Sequence, residues 1–327
     1  MAVKTNVKFR RPWFLLNGHM ESIYPALFRK INGLPYERER IFTPDDDFLD
    51  IDWLKGGNEK LIVLSHGLEG DSRRQYMAGM ARLFFANGWD VLAWNNRSCS
   101  GEMNRARRMY HHGDVEDLGQ VVEYGASKGY KTLVLAGFSM GGNQTLKYLG
   151  VKGSGVPAQV AGGIAFSAPT DLEAGAAILD RPDNVIYKKR FLHYLSKKIT
   201  IKEEQYPGTF DLSLLPRVKS WRDFDEWFSA PLNGFENAAH FYKEASARNF
   251  MFGARVPVLL VQAENDPILP KECYPVEACK THPYISLEIT NYGGHVGFLQ
   301  QCSPHAWSEV RALDFAGKCA GVEVVGH

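Results

Sequence analysis

Long apolar runs are largely missing from this sequence. No stretch of its 327 residues approaches the roughly 18 to 20 apolar residues that a bilayer-spanning helix requires. Near the N-terminus only Trp13 to Leu16 is apolar, after Arg10 and Arg11, and that is shorter than the roughly 7 to 15 residues of a secretory signal core. A soluble cytoplasmic protein without stable membrane insertion is the expectation. Cysteine is sparse and scattered. Cys99, Cys273, Cys279, Cys302 and Cys319 are odd in number and include no C-x-x-C pair, which argues against a disulfide framework and a zinc site and suits a reducing compartment. An excess of charge of one sign is missing too. The net charge is +1, so no electrostatic reason exists to expect a nucleic-acid partner. No G-K-[ST] follows any glycine-rich stretch, which removes a P-loop, and there are no internal repeats or low-complexity tracts.

What is present is a chain that is 45% hydrophobic with 31 glycines, enough for a large core and many tight turns. Short β-rich runs alternate with helical patterns, as in a mostly parallel sheet covered on both faces. Strands are expected at Leu61 to Ser65, Asp90 to Trp94, Thr132 to Ala136, Gly162 to Phe166, Val256 to Gln262 and Ile285 to Thr290. Helices are expected at Ser72 to Asn87, Val115 to Ser127, Gly141 to Leu149 and Pro304 to Phe315. Between about Thr170 and Asn249 the alternation stops. That stretch is too long for an ordinary loop and reads as several short helices. Residues 1–169 and 251–327 are therefore expected to form an α/β core, and 170–250 a helical cap or lid. Its aromatics Tyr187, Phe191, Tyr194, Trp221, Trp227 and Phe228 are candidates to line a pocket.

The most informative pentapeptide is Gly137-Phe138-Ser139-Met140-Gly141. It follows a strand and precedes a helix, so the chain must reverse sharply at the serine and present its hydroxyl above the sheet. A serine hydroxyl is a weak nucleophile until a base removes its proton. In this setting the chain order is serine, acid, histidine. His295, in the glycine-flanked loop Asn291 to Phe298, is the candidate base; His305 is also downstream but opens the last helix, and His327 is terminal. Asp266 follows the strand at Val256 to Gln262 and is favoured over its neighbour Glu264 as the acid that orients the imidazole. The N–H groups of Met140 and of Leu68, in the turn His66-Gly67-Leu68-Glu69-Gly70, are the expected oxyanion donors. His66 is read as a packing residue bracing that turn.

These pieces resemble the α/β-hydrolase fold, and one branch in particular. Asn95-Asn96-Arg97-Ser98-Cys99-Ser100-Gly101-Glu102-Met103-Asn104 resembles the N-x-R-G-x-S-G-x-x-N loop of the YheT-like group. Asn17-Gly18-His19-Met20-Glu21-Ser22-Ile23-Tyr24-Pro25 is similar to that group's H-L-Q-T-I-x-P opening. The chain departs from the pattern at Ser98, where the group has Gly, and at Met20-Glu21, where it has Leu-Gln; both bear on the pocket rim or its packing. The resemblance implies carboxylesterase activity on small acyl esters of short to medium chain, with transfer of the acyl group to an alcohol as an alternative, and no cofactor or metal. A non-catalytic binding protein on the same fold is the reading from another class. Oligomeric state is not legible.

Three other features carry less. His111-His112 with Asp114 lacks a matching ligand cluster for a metal. Asp45-Asp46-Asp47 reads as a solvated hairpin turn, since the spaced ligands of a calcium loop are missing. Tyr187 to Lys198 is a basic, amphipathic helix, read as packing its apolar stripe on the core, with contact to a lipid surface or an anionic substrate tail as the alternative.

Overall fold

Adjacent residues of one strand point to opposite faces, so a run apolar at every position makes a strand buried on both sides. Leu61, Val63, Leu133 and Leu135 pack in one apolar layer, while their chain neighbours Ile62, Leu64, Val134 and Ala136 pack in another. The computed structural model describes residues 3–321. Its strands are β1 (Val3–Val7), β2 (Glu37–Phe42), β3 (Phe48–Leu54), β4 (Lys60–Ser65), β5 (Asp90–Asn95), β6 (Thr132–Phe138), β7 (Val160–Phe166), β8 (Val258–Ala263) and β9 (Ile285–Thr290). They form one nine-stranded sheet in the order β1-β9-β8-β7-β6-β4-β5-β3-β2. All neighbours are parallel except β2 with β3 and β3 with β5. This is the mostly parallel sheet expected from the alternation, in the arrangement that the resemblance to the α/β-hydrolase fold implies.

Among the described residues, the α-helices outside the stretch between β7 and β8 are α1 (Gly18–Phe28), α2 (Gln75–Ala86), α3 (Glu116–Ser127), α4 (Met140–Lys152), the short helix Val276–Thr281 and the terminal helix Trp307–Cys319. Met77, Met80 and Phe84 of α2 and Phe315 of the terminal helix cover one face of the sheet. Leu118 and Val122 of α3 and Leu146 and Leu149 of α4 cover the other. Burying each such large apolar side chain stabilises by about 1.5–3 kcal/mol. From β4 the chain goes to β5 on one side and then to β6 on the other, which opens a crevice at the carboxyl ends of β4 and β6, the usual ligand position in open α/β sheets.

Between β7 and β8 lie α5 (Leu172–Leu179), α6 (Val185–Gln205), the helix Ala238–Ala245 and several shorter turns. They share a third apolar cluster that includes Leu195, Trp221, Phe224 and Phe228 and reaches Met140 of α4. All five cysteines are free.

Several expectations need correction. The N-terminal hairpin β2–β3, strand β1 and helix α1 were not among the expected elements. The helix expected from Ser72 starts at Gln75, because Ser72 is buried, its hydroxyl donating to Asp52 and its N–H to Asn95 Oδ1 at 3.0 Å. The terminal helix begins at Trp307, not Pro304. Asp45 to Asp47 do form the β2–β3 turn, with Asp46 at φ 57°, but it is solvated only in part, at the exposed Asp45 and Asp46. Asp47 is fully buried. It accepts from Arg97 Nη1 at 2.6 Å, Asn104 Nδ2 at 2.6 Å and the Arg105 N–H at 2.7 Å. Burial alone would raise its carboxyl; these donors and the Arg97 charge hold it below the usual range. Arg97 also pairs with Asp45 and Asp117, so the acidic turn holds the Asn95–Asn104 loop in place.

Candidate active site

The turn after β6 is sterically demanding. Ser139 has φ 53°, a region costly for a residue with a side chain. A Cβ on Gly137 would lie 2.1 Å from Gly141 O, and one on Gly141 would lie 2.4 Å from Ser65 O, so only glycine fits at either flank. The Ser139 N–H is tied to Phe166 O at 2.8 Å. Its hydroxyl is thereby held at the sheet's carboxyl edge, directly before α4.

The structure brings the three expected side chains together. His295 Nε2 lies 2.8 Å from Ser139 Oγ, and His295 Nδ1 lies 2.9 Å from Asp266 Oδ2. The other Asp266 oxygen accepts the Ile268 N–H at 3.0 Å, which leaves Oδ2 aimed at the imidazole. Glu264, the competing acid, is exposed. Gly67 packs against the serine: a Cβ there would lie 3.2 Å from Ser139 Cβ. Leu68, the next residue, borders two cavities that reach Ser139, and Met140 opens α4 as its first residue. Behind them His66 is fully buried. Its Nε2 accepts the Asn96 N–H at 3.0 Å and its Nδ1 lies 2.7 Å from Gly67 O; burial pushes it down to about 4, so it is a neutral brace under the turn.

A family model for the alpha/beta hydrolase fold matches residues 60–301. YheT of Escherichia coli strain K12, which bears an esterase name, is 30% identical over 91% of this chain and 90% of its own. The chain belongs to the α/β-hydrolase family. Mouse phospholipase ABHD3 is 31% identical over 82% of this chain and 68% of its own, and yeast monoacylglycerol lipase is 27% identical over 84% and 62%. Among solved structures, an esterase of Pyrococcus furiosus superposes with TM-score 0.57 at 18% identity, over 88% of this chain and 97% of that one, a likeness of fold.

Within this α/β hydrolase the histidine loop is held from an unexpected quarter. The His295 N–H donates to Ser22 Oγ at 2.7 Å, Gly293 N–H to Glu21 Oε2, and Gly294 N–H to Asn265 Oδ1 at 3.0 Å. Glu21 is buried and takes Arg11 at 2.7 Å as its counter-ion. Gly294 (φ 55°) has no room for a side chain, since a Cβ would lie 2.6 Å from Gly18 O. Helix α1 is thus the back wall of the loop. Sequence reasoning singled out Asn17 to Pro25 as a likeness without assigning this role; the only local signal was a polar Glu-Ser pair in an apolar helix.

Two cavities reach Ser139, and a third adjoins one of them. The largest, about 290 Å³, is bordered by Ile23 and Leu27 of α1, the Gly67–Gly70 turn, Arg74, and Tyr187 and Arg190 of α6, and reaches both Ser139 and His295. On the other side an apolar pocket of about 50 Å³ runs past Leu172, Leu179, Trp221, Phe241 and Ile268 and touches the same two residues. A third, about 40 Å³, adjoins that pocket through His112, Trp221, Asp225 and Phe241. Of the expected lining aromatics, Tyr187, Phe191 and Trp221 border these cavities. Tyr194 is exposed, and Phe228 packs on Phe224 instead, ring centres 5.3 Å apart. Among the described residues no group of three His, Cys, Asp or Glu is placed to hold a metal ion; His111 turns its Nδ1 to the Gly113 N–H at 3.2 Å.

Proposed function

We propose that this α/β hydrolase is a serine carboxylesterase acting through an acyl-enzyme on acyl esters of short to medium chain. The observation that carries the reading is the hydrogen-bonded line Asp266–His295–Ser139, at 2.9 and 2.8 Å, set on the strand-to-helix turn. His295 takes the Ser139 proton as Oγ attacks the ester carbonyl, and Asp266 stabilises the imidazolium. The N–H groups of Leu68 and Met140 receive the oxyanion; a donor of this kind is worth about 10²–10³ in kcat. His295 then returns the proton to the leaving alcohol and activates water to free the acid. The ester and lipase names of the relatives support the substrate class. The two sides of the site divide the substrate: the apolar pocket takes the acyl chain, and the wider cavity past Arg74 and Arg190 takes the alcohol portion and water. Residues 170–250 act as the lid that shapes the acyl side. None of these steps calls for a cofactor.

Labelling with a fluorophosphonate, followed by peptide mapping, tests this directly. Modification at Ser139 alone, lost in Ser139→Ala, is the expected result. A folded protein that takes no label and cleaves no p-nitrophenyl ester would replace the reading with a binding role. Ethyl-ester formation outpacing hydrolysis in the presence of ethanol would move the activity to acyl transfer.

A further inference from the structure

The inner end of the acyl pocket is not uniformly apolar. His112 stands where the two smaller cavities meet, among Leu68, Trp221 and Phe241. Its backbone is fixed. Asn143 Nδ2 donates to His112 O and to Ala245 O, both at 2.8 Å. Gly113 packs so closely on the helix Ala238–Ala245 that a Cβ would fall 2.5 Å from Ala245 Cα. The ring, by contrast, makes no hydrogen bond with any described residue, unlike His66 and His111 on either side of the site. Burial pushes His112 down to about 4, so it is a neutral imidazole with one N–H and one lone pair.

We infer that the acyl pocket is built for a chain bearing a hydroxyl group, which the His112 imidazole recognises; the inference rests on the ester-hydrolase reading above. A plain alkyl chain lying against this ring would strip water from its nitrogens and offer nothing in return, which is the costly side of the hydrogen-bond balance. A hydroxyl both donates and accepts, so it meets whichever nitrogen faces the cavity in either tautomer. Asp225 and Tyr242, which line the same pocket, are already engaged with each other: Asp225 Oδ2 accepts the Tyr242 hydroxyl at 2.9 Å. Its carboxyl would repel an anionic chain end, and the apolar walls would desolvate a charged one of either sign. The rigid backbone of His112 preorganises the contact.

The test is the hydrolysis of ethyl hexanoate and ethyl octanoate against their 3-hydroxy and terminal-hydroxy counterparts, followed by acid release. At least one hydroxylated ester is expected to exceed its parent in kcat/KM by roughly tenfold or more, because a site built around a substrate hydroxyl rejects the analogue lacking it. His112→Leu should bring the pair close to parity while still taking the fluorophosphonate label. His112→Gln, which keeps a donor and an acceptor, should retain part of the preference. Hydrolysis of the plain esters with no hydroxylated ester preferred, or a preference that survives His112→Leu, would overturn this inference alone. Failure to cleave any ester, together with failure to label, would overturn the esterase reading and this one with it.

Discussion

The sheet core and the helical block between β7 and β8 are held by different means. In the core, neighbouring residues of each central strand enter opposite apolar layers, and the site residues sit on turns where a side chain in place of glycine would collide with backbone. The block has its own apolar cluster, which extends to Met140 of α4, and it is also fastened to the core by polar pins. Lys202 Nζ donates to Asn104 O and Ala106 O at 2.7 Å, Lys198 pairs with Glu69 at 2.7 Å, and Asn184 Nδ2 reaches Pro267 O at 2.8 Å. Apolar layers are non-directional and tolerant of small changes; a buried polar pin fails when one partner is removed. The difference teaches that the core fixes where Ser139, His295 and Asp266 meet, whereas the pins set how the block sits over them.

The largest effect is expected in the core. Ser139→Ala should lower turnover by about 10⁵- to 10⁶-fold, and His295→Ala by a similar factor. The double variant should be no slower than either single one, because the two act as a unit. Rates measured on purified, folded variants decide this; a double variant slower by the product of the two factors would show independent roles. Stability should change little, since the hydroxyl removed by Ser139→Ala leaves no large buried group unpaired.

Next comes the acid. Asp266→Asn should cost about 10⁴-fold in kcat by favouring the wrong imidazole tautomer, whereas Glu264→Gln, at an exposed position, should leave kcat within about twofold. The opposite ranking would reassign the acid.

A third prediction sets the core against the block through pH. His66 and His112 are each pushed down to about 4, and His111 to about 3, by burial. Between the ordinary 6.5 and those values the unfolded chain binds protons that the folded one refuses, so stability is full above 6.5 and falls as the pH drops through the window. For His66 the full effect is at most roughly 3 kcal/mol. Asp225, raised to about 6 by burial, works the other way: its contribution is present at low pH and lost as pH rises through 6. Urea unfolding at pH 7, 6 and 5 should show a net fall with acid that becomes shallower in His66→Gln. An unchanged slope would mean that His66 gains a partner for its charge.

How much of this was legible in the sequence follows from where each constraint lies along the chain. That Ser139, Asp266 and His295 would meet could be read from local patterns, because each sits just past a strand and the strand order of the fold brings those ends together. The central strands were legible for the same reason: both their faces are buried, so they are apolar throughout. Strand β2 was hidden by its alternation Glu37-Arg38-Glu39-Arg40, the charged dress of an edge strand. Those arginines find Asp52 and Asp50 on β3 at 2.8 and 2.7 Å, a cross-strand pairing that composition alone does not reveal. The same holds for Asp47, which resembles a surface acid until Arg97, 50 positions away, is placed beside it. Ser22 reaches the His295 loop across 273 positions, and no local signal carries that distance.

The smallest expected effect probes the link between the two regions. Lys198 of α6 and Tyr110 both bind Glu69 Oε1, and Glu69, at φ 53°, directly follows Leu68. The pair is nearly buried, with 14% and 7% of the two side chains exposed. Lys198→Met keeps the length and packing of the stem but leaves the Glu69 charge with a single partner. If the pin only fastens the block, the melting temperature should fall and both kinetic constants should hold. If it also steadies the Leu68 N–H for the oxyanion, kcat should drop by about 3- to 30-fold, well inside the 10²- to 10³-fold limit for losing such a donor outright, with KM nearly constant. The second outcome is the expected one, because among the described residues no other hydrogen bond or ion pair joins the turn to α6. Lys198→Arg, which preserves the charge, should recover most of kcat, and a rise in KM with kcat unchanged would instead place the pin's influence on substrate entry.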